Sequence, residues 1–492
     1  MKFSYLFAGL AAFVVIDVLL GGGSRSYLLP ETIVRLAALP LLGVGLFLWF
    51  DQSPTARQPG LFWFWIAPSC LAAMQLVPLP VGLLGTLANG AIPAKALSLL
   101  TNPPEWRPLS VVPSATRIAL FGLIPGTGAF FATLFLGARE RQRLIFLVML
   151  LAAVSVGLGF IQISQGANSE LRFYAQTNLV GPLGFFANRN HFSALLYCST
   201  VLAMGYLAIL IKTEGASRDA SRHRRFAFIA LTIAFLFLFI ACQLVLESRM
   251  GLALEGVALI VGYFAFFADF KEGRQSGRMT WVFLGAGVAL FIFFVVFGLS
   301  GLVERFDQGS EDGGRVGFAL TTLKAALAFL PFGAGLGAFP EVYGVFETRE
   351  LLMPGLYANH AHNDFAELFL ETGVFGLAWA GAFIFWWGRQ IRRNWGPHPE
   401  SVGPVELILS RSGVIVVGLL LLHSLVDYPL RTQTLAVVMA MACALMLKPF
   451  AANVWWAAPA HRGGAARKSE LKRSSNALRG ISSRRARGPG AQ

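Results

Sequence analysis

Histidine and carboxylate side chains are concentrated in one short stretch of this chain. His360 and His362, two of the seven histidines, are followed by Asp364, Glu367 and Glu371. If a helix begins near His360, the spacing i, i+4, i+7 and i+11 places that histidine and the three carboxylates on one face. Titratable groups that enter an apolar segment are costly, so they usually face the protein interior or a wet cavity. The stretch therefore predicts a functional site.

Three arginines lie in unusual local sequence elsewhere in the chain. Arg189 precedes Asn190-His191 at the start of an apolar segment, Arg249 follows Glu247-Ser248 between two apolar segments, and Arg315 follows two glycines. An arginine held in a very short turn has few orientations, so its guanidinium is preorganised to bind an anion through two hydrogen bonds. Contact with lipid headgroups, or a pair with Glu247, is the alternative interpretation. The candidate substrate-binding residues are Arg249, Arg315, Arg189, His191 and Glu247.

Arginines near histidines at a membrane surface favour a lipid pyrophosphate as the substrate. Guanidinium groups can stabilise a departing diphosphate without a metal, and a neutral imidazole can accept a proton from the attacking hydroxyl. We predict His362 as this base, Asn363 and Asp364 as residues that position the ring or the sugar, and His360 in a secondary role. On a helix, two histidines that are two positions apart point about 200° apart, which does not suit a shared ion. No metal and no cofactor are expected.

Membrane-spanning helices are the elements that must position these residues. The chain is 55% hydrophobic and only 13% charged, whereas soluble domains carry about 25% charged residues. An all-α polytopic membrane protein with about 12 transmembrane helices is predicted. The first apolar run is longer than the apolar region of a signal peptide and is interpreted as the first span. The predicted spans cover roughly residues 3–22, 33–50, 60–79, 115–137, 144–163, 191–211, 226–246, 250–269, 280–300, 364–388, 411–429 and 432–450.

Lysine and arginine residues fall in alternate loops, which predicts the orientation of the chain. Basic segments at residues 139–143, 212–225, 271–278 and 389–393 should be cytoplasmic, together with both termini. The loops 80–114, 164–190 and 301–363 should then face the periplasm or the cell exterior, with an interfacial helix at 81–100. The glycine cluster at residues 333–337 suits either a tight turn or a flexible linker.

The formal charge of +14 is explained by this topology without a nucleic-acid partner. Much of the charge lies in the loops and in residues 451–492, which have no apolar period. We expect residues 1–450 to form the membrane domain and 451–492 to be a disordered cytoplasmic tail that is attracted to anionic lipids on the cytoplasmic side of the membrane. The four cysteines all lie in apolar segments and have no metal-binding spacing, so we interpret them as buried small side chains.

One motif in the histidine stretch resembles that of a known family. His362-Asn363, followed after nine residues by Gly373-Val-Phe-Gly376, is similar to the H-[NSQ]-x9-G-x-x-G pattern of the O-antigen ligase family. The superfamily also contains O-antigen and exopolysaccharide polymerases and protein O-oligosaccharyltransferases. Further similarity lies in residues 184–192, 247–251, 331–339 and 423–429, so that the resemblance covers nearly the whole chain except the tail.

The resemblance implies a GT-C-type membrane glycosyltransferase with a large periplasmic loop, located in the bacterial inner membrane. Such enzymes take a glycan from undecaprenyl pyrophosphate and pass it to lipid A-core or to another glycan, and the ligases use no metal. The motif histidine corresponds to His362, and the donor-binding arginines correspond to Arg249 and Arg315.

Two alternatives stay open at this point. A Wzy-type polymerase of the same superfamily would pass the growing chain to the next lipid-linked repeat. From a different class, a transporter or channel would use Glu367 and Glu371 as a proton or ion path, because acidic residues inside a membrane often mark such paths.

Overall fold

A computed structural model of the chain describes residues 4–24, 28–53, 58–87, 101–102, 104–175, 178, 181–212, 219–268, 311–349, 358–396 and 403–450. These residues are mostly helical, as the apolar composition predicts. The predicted span 280–300 and the predicted tail at 451–492 lie outside the described residues, as do parts of the loops 80–114 and 301–363.

The helices alternate with short connections along the whole described chain. In chain order they are α1 (Tyr5–Leu20), α2 (Leu28–Asp51), α3 (Pro59–Gln75), α4 (Val81–Leu87), α5 (Pro113–Gly122), α6 (Ile124–Leu134), α7 (Ala138–Gln165), α8 (Arg189–Lys212), α9 (Asp219–Val245), α10 (Arg249–Phe266), α11 (Glu311–Ala328), α12 (Phe339–Phe346), α13 (Asp364–Trp395), α14 (Pro404–His423) and α15 (Gln433–Leu445). A 3₁₀ turn at Pro429–Arg431 precedes α15, and strands β1 (Pro78–Pro80) and β2 (Trp106–Pro108) pair antiparallel, with Leu79 opposite Arg107.

Eight helical segments in the described part of the chain are long and apolar enough to cross a membrane, when α5 and α6 are counted together as one. They correspond to eight of the predicted spans, and α1 and α15 are shorter apolar helices at two further predicted positions. The predicted span 60–79 contains the 17-residue helix α3, and the span 115–137 is divided at Leu123 into α5 and α6. The chain is therefore a multi-pass membrane protein, while the count of twelve stays a prediction.

Helix α8 lies at the centre of the main hydrophobic core. Most of its side chains are buried, and it packs against α7, α9, α10 and α14. Helix α6 occupies a similar position between α2 and α15. Residues 129–134 of α6 are all buried, which explains why an amphipathic pattern is absent there.

In its described residues, 311–349 and 358–363, the predicted outer loop 301–363 has two helices and a small hydrophobic core of its own. Helices α11 and α12 pack together, and Phe318, Phe329 and Phe339 are buried with the start of α13. The interfacial helix predicted at 81–100 is described only over Val81–Leu87, where α4 follows β1 directly.

The basic segments at residues 139–143 and 389–393, which the structure describes, lie at one end of the helix bundle. Arg141, near the start of α7, donates hydrogen bonds to the carbonyl oxygens of Leu134, Leu136 and Leu447, which lie where α6 and α15 end. Arg411 of α14 similarly donates to carbonyl oxygens at the ends of α13 and α10. The starts of α8, α10, α13 and α15 lie at the opposite end of the bundle, where the histidine stretch lies.

Helix α13 is broken at Gly373, the first glycine of the G-x-x-G motif. This residue has φ 61° and ψ −146°, and a Cβ atom there would come within 2.0 Å of the Pro331 carbonyl oxygen. The break frees carbonyl groups that would otherwise bond within the helix. The Leu370 carbonyl accepts from Ala334 N at 2.8 Å, and the Glu371 carbonyl accepts from Gly335 N at 2.9 Å.

The glycine cluster at 333–337 is the tight turn that fills this break. Gly333, Gly335 and Gly337 all have positive φ, which favours glycine. Gln75 fixes the same turn from α3, because its Nε2 donates to the Glu371 carbonyl at 2.8 Å and its Oε1 accepts from Leu336 N at 3.0 Å. The flexible-linker interpretation of these glycines is therefore wrong.

Candidate active site

His362 and Asp427 form a hydrogen-bonded pair at the end of the bundle opposite the basic segments. The distance between His362 Nδ1 and Asp427 Oδ1 is 3.0 Å, and Asp427 is almost fully buried. A carboxylate oxygen accepts, so Nδ1 is the donor, and in the neutral imidazole Nε2 then has the free lone pair. His362 also has φ 49°, an uncommon conformation for a residue other than glycine. A backbone held in this state at a polar site is typical of functional positions.

A chain of hydrogen bonds extends from this pair to the starts of two helices. Asn190 in the first turn of α8 donates from Nδ2 to Asp427 Oδ2 at 2.7 Å, so both carboxylate oxygens are engaged. Ser248 Oγ in turn donates to Asn190 Oδ1 at 2.9 Å. Ser248 is also the N-cap of α10, because its Oγ accepts from Gly251 N. The imidazole is therefore oriented by groups on α8, α10 and the segment after α14.

A second imidazole–carboxylate pair lies beside the first. The distance between His360 Nδ1 and Glu367 Oε1 is 2.8 Å, and Glu367 Oε2 accepts from the backbone N–H of Ala361. The Tyr428 ring contacts both imidazoles, with centroid distances of 4.3 Å to His360 and 4.9 Å to His362. The two histidines therefore share an aromatic neighbour, but each has its own carboxylate.

Arg431 neutralises the carboxylates at the start of α13. Its guanidinium lies 2.7 Å from Glu371 Oε2, 3.5 Å from Glu367 Oε1 and 3.5 Å from Asp364 Oδ1. Burial alone would lower the pKa of Arg431, but the attraction of these carboxylates outweighs burial and raises its pKa above the usual range. The Arg431 side chain is 20% exposed, so one partly buried cation holds three buried acids together.

The local start of α13 differs from the prediction. The helix begins at Asp364 with Asn363 as its N-cap, so a helix from His360 is wrong. His360 and Glu367 are nevertheless close together, as predicted. The segment before the N-cap folds back and brings His360 within hydrogen-bond distance of Glu367. Asn363 Oδ1 accepts from Ala366 N, and its Nδ2 donates to the Leu425 carbonyl. Asp364 Oδ2 accepts from Ser424 Oγ at 2.7 Å.

The predicted substrate-binding residues are only partly brought together. Arg189 and Glu247 form an ion pair at 3.3 Å, and Arg249 is the exposed first residue of α10, next to the Ser248 cap. Glu247 thus contacts Arg189, whereas the sequence suggested Arg249 as its alternative partner. Arg315 lies in the first turns of α11.

His191 is a buried residue of α8 and not an exposed ligand. Its Nδ1 forms a hydrogen bond with Thr432 Oγ1 at 2.6 Å, and its ring packs edge-on against Tyr428. Its side chain has no exposed surface, so the predicted contact with substrate is not supported by this arrangement.

Asp427, Tyr428 and Arg431 were missed as site residues by sequence reasoning. Asp427 and Tyr428 belong to a segment that carries the family resemblance, and that signal could have found them. Arg431 lies in the turn before α15, where a buried cation was needed opposite the acids of α13. Three acids entering an apolar helix without a cation among them were the available signal.

A large cavity begins at the His360 side of this cluster. It has a volume of about 1090 Å³ and is lined near its polar end by His360, Glu371 and Arg431. It continues between α3 and α13 along aromatic residues such as Trp63 and Trp379. His362 does not line it, so the two histidines face different surroundings.

Comparison with protein-family models agrees with the motif. Residues 223–381 match the family model described as O-antigen ligase. The match confirms the predicted resemblance and supports membership of the chain in the O-antigen ligase superfamily. Together with the apolar helices, it supports an O-antigen ligase- or polymerase-like membrane enzyme. No curated protein matches the chain. The matched range includes the His362 motif and ends before Asp427 and Arg431.

Proposed function

We propose that this protein is a glycosyltransferase that moves a glycan from undecaprenyl pyrophosphate to an acceptor hydroxyl on the periplasmic side of the bacterial inner membrane. The observation that carries the proposal is the His362–Asp427 pair, which is oriented through both carboxylate oxygens and lies at the end of the bundle away from the basic segments. The match to the O-antigen ligase family supports the reaction class. Both termini are then cytoplasmic.

His362 acts as the general base in this proposal. With its Nδ1–H donated to Asp427, the lone pair on Nε2 accepts the proton of the acceptor hydroxyl. The resulting oxygen attacks the anomeric carbon of the donor sugar. The bond between that carbon and the diphosphate oxygen breaks, and the electron pair leaves with the diphosphate. Asp427 stabilises the imidazolium that forms, as a carboxylate does in other histidine-based sites.

Arginines hold the departing diphosphate. Arg249 supports this role best, because it is exposed and follows directly on Ser248, which belongs to the hydrogen-bond chain from Asp427. Arg315 is the second candidate by family resemblance. Arg189 is a further candidate, because it is the first residue of α8 and the starts of α8 and α10 lie at the same end of the bundle. Guanidinium groups supply the charge without a metal, and no cofactor is proposed.

The acceptor class is either lipid A-core or the next lipid-linked glycan. Both reactions use the same base and the same leaving group, so the polymerase alternative requires no change at His362. Ion transport through Glu367 and Glu371 gains no support, because Arg431 pairs with both acids and they are almost fully buried.

Transfer by purified protein tests the proposal. A defined undecaprenyl-diphosphate-linked glycan is supplied with lipid A-core, with lipid-linked repeat units, or with no acceptor, and the products are separated by mass. We expect transfer to one acceptor and release of undecaprenyl diphosphate. Absence of transfer with each acceptor, in protein that still melts cooperatively, would contradict the proposal.

A further inference from the structure

Two helices of the predicted outer loop place aromatic rings against both histidines of the site. The Phe318 ring of α11 lies nearly parallel to the His362 imidazole, with a centroid distance of 6.1 Å and an interplanar angle of 22°. The Phe339 ring of α12 lies in the same way against His360, at 6.5 Å and 20°. Tyr343 contacts the two phenylalanine rings at 5.7 Å and 5.1 Å, so the three rings form one cluster beside the histidine pair.

The Phe318 ring is held in place by its own surroundings. It is 8% exposed and belongs to the small hydrophobic core that α11 and α12 form with the start of α13. On α11 the buried Thr322 and Ala325 share its face, whereas the exposed Leu320 and Leu327 lie on the opposite face. Helix α11 therefore has a defined inner face, from which Phe318 reaches His362.

Three neighbours restrain the His362 imidazole from different directions. Asp427 Oδ1 lies 3.0 Å from Nδ1, and the Tyr428 ring meets the imidazole at an angle of 71°. The terminal torsion of a histidine side chain is broad, so one hydrogen bond leaves the imidazole room to turn about it. The nearly parallel Phe318 ring limits this rotation, because a turned imidazole would bring its edge toward the phenyl ring.

The orientation of the imidazole decides where its basic nitrogen points. Nε2 of His362 is free for a proton only while Nδ1–H stays on Asp427, and a misplacement of about 1 Å at a reacting group can cost roughly a hundredfold in rate. Phe318 has no group that can accept or donate this proton. Its ring excludes water from one side of the His362–Asp427 pair, which strengthens their hydrogen bond. A ring in this position acts through His362 and not on the substrate.

We propose that Phe318 is a positioning residue of the transfer reaction, whose ring keeps the His362 imidazole in the orientation that proton transfer requires. Its part in catalysis rests on the proposed function, whereas its effect on the imidazole does not. The outer loop then does more than connect two spans, because α11 supplies one wall of the active site.

Truncation of the ring tests this role, and the same core supplies a matched control. Phe318→Leu and Phe329→Leu make the same change in the same small core, at residues that are 8% and 7% exposed, and the Phe329 ring lies against Phe346. At saturating donor and acceptor, Phe318→Leu should lower the single-turnover rate about tenfold or more, while acceptor KM and donor affinity stay unchanged. Phe329→Leu should lose a similar amount of thermal stability and keep the native rate.

Equal rates per folded molecule in these two variants would overturn the proposal. Phe318→Met and Phe329→Met repeat the comparison if the leucine variants do not fold. Phe318→Tyr keeps a flat ring and should retain most of the native rate. A rate in folded Phe318→Tyr as low as that in Phe318→Leu would also count against a role of the ring.

Nitrogen NMR of isotopically labelled histidine measures the imidazole itself. Comparison with His362→Ala identifies the His362 signals, at a pH where the imidazole is neutral. The native protein should show one tautomer with the proton on Nδ1, and so should Phe329→Leu. Phe318→Leu should show a mixture of both tautomers, because the ring is then free to turn away from Asp427. A single tautomer in folded Phe318→Leu would overturn the proposal.

The two measurements also separate this inference from the proposed function. Absence of transfer by the native protein would contradict the proposed function, and the NMR comparison would still test the positioning of the His362 ring. Transfer by the native protein, together with an unchanged rate and a single tautomer in Phe318→Leu, would contradict this inference alone.

Discussion

At the scale of single residues, Asp427 decides which nitrogen of His362 is available. Replacing it with asparagine keeps a similar shape but removes the carboxylate that holds the Nδ1 proton and stabilises the imidazolium. We expect Asp427→Asn to lower the single-turnover rate by about a hundredfold or more, within the range of general-base catalysis. Glu140→Gln, which also replaces a carboxylate with an amide but lies at the opposite end of the bundle, is the control. It should keep the single-turnover rate of the native protein. An unchanged rate in Asp427→Asn would remove the pair from the mechanism.

The exposed Arg249 allows a direct test of diphosphate binding. Arg249→Ala should weaken donor binding and abolish transfer, and Arg249→Lys should restore only part of both, because a point charge does not reproduce two parallel hydrogen bonds. Arg139→Ala, an exposed position at the start of α7 and the opposite end of the bundle, serves as an arginine control outside the proposed donor site. Donor affinity measured by titration with undecaprenyl diphosphate should therefore fall only in the Arg249 variants. Normal affinity in Arg249→Ala would exclude it as a donor ligand.

Arg431 is the residue on which the acids of α13 depend. Removing it leaves three buried carboxylates without a cation, and breaking a buried pair typically costs about 3–5 kcal/mol. We expect Arg431→Met to lower the melting temperature strongly. Adding Glu371→Gln to that variant should recover part of the loss, because it removes one of the uncompensated charges. No recovery in the double variant would show that the ion cluster is not the cause.

At the scale of elements, the broken helix α13 connects the motif glycines to the site. Gly373→Ala must shift the Pro331 turn, and a side chain at this positive φ is strained by about 1–3 kcal/mol. Gly381→Ala in the same helix meets no atom within 4 Å and is the control. Thermal melting should show a clear loss only in Gly373→Ala. Equal melting temperatures would mean that the break is not needed for stability.

The elements were predicted better than their contacts. Apolar runs and basic loops indicate the helices because each signal lies within a few consecutive residues, and α8 begins and ends within two residues of its predicted span. The predicted start of α13 near His360 was wrong because Asn363 caps the helix. The periodic spacing of the acids fitted a longer helix equally well, so it did not indicate this N-cap. The glycine cluster at 333–337 allowed two interpretations, a tight turn or a flexible linker. The contacts that hold it as a tight turn come from Gln75 and from the break at Gly373, which are distant in sequence.

The site residues, like the helices, could be predicted where the signal lies within one short stretch of sequence, and were missed where it does not. His362 was found through its motif, and it lies two residues before the start of α13. Asp427 and Arg431 are 60 or more residues away from His362 and Glu371, so no spacing rule relates them. His191 has the residue type of a ligand, but the packing of α8 against the turn before α15 buries it.

At the scale of the whole molecule, the proposal requires that the two ends of the bundle face opposite sides of the membrane. Ser114 lies at the mouth of the cavity and should be periplasmic, and Ser474 in the basic tail should be cytoplasmic. We expect an impermeant thiol reagent to label Ser114→Cys in intact cells, and Ser474→Cys only after lysis. Cys70 is exposed and lines the cavity, so its predicted burial is wrong, and both variants are made in a Cys70→Ser background. Labelling of Ser474→Cys in intact cells would reverse the proposed orientation.

The central claim is that His362 removes the proton of the acceptor hydroxyl while arginines hold the diphosphate. One purified sample of His362→Ala, assayed for donor binding, melting temperature and single-turnover transfer, tests it most directly. The account predicts a loss of transfer of about a hundred- to ten-thousand-fold, with donor affinity and melting temperature close to those of the native protein. Undiminished transfer per folded molecule, or transfer that falls only in proportion to the loss of folded protein, would contradict it.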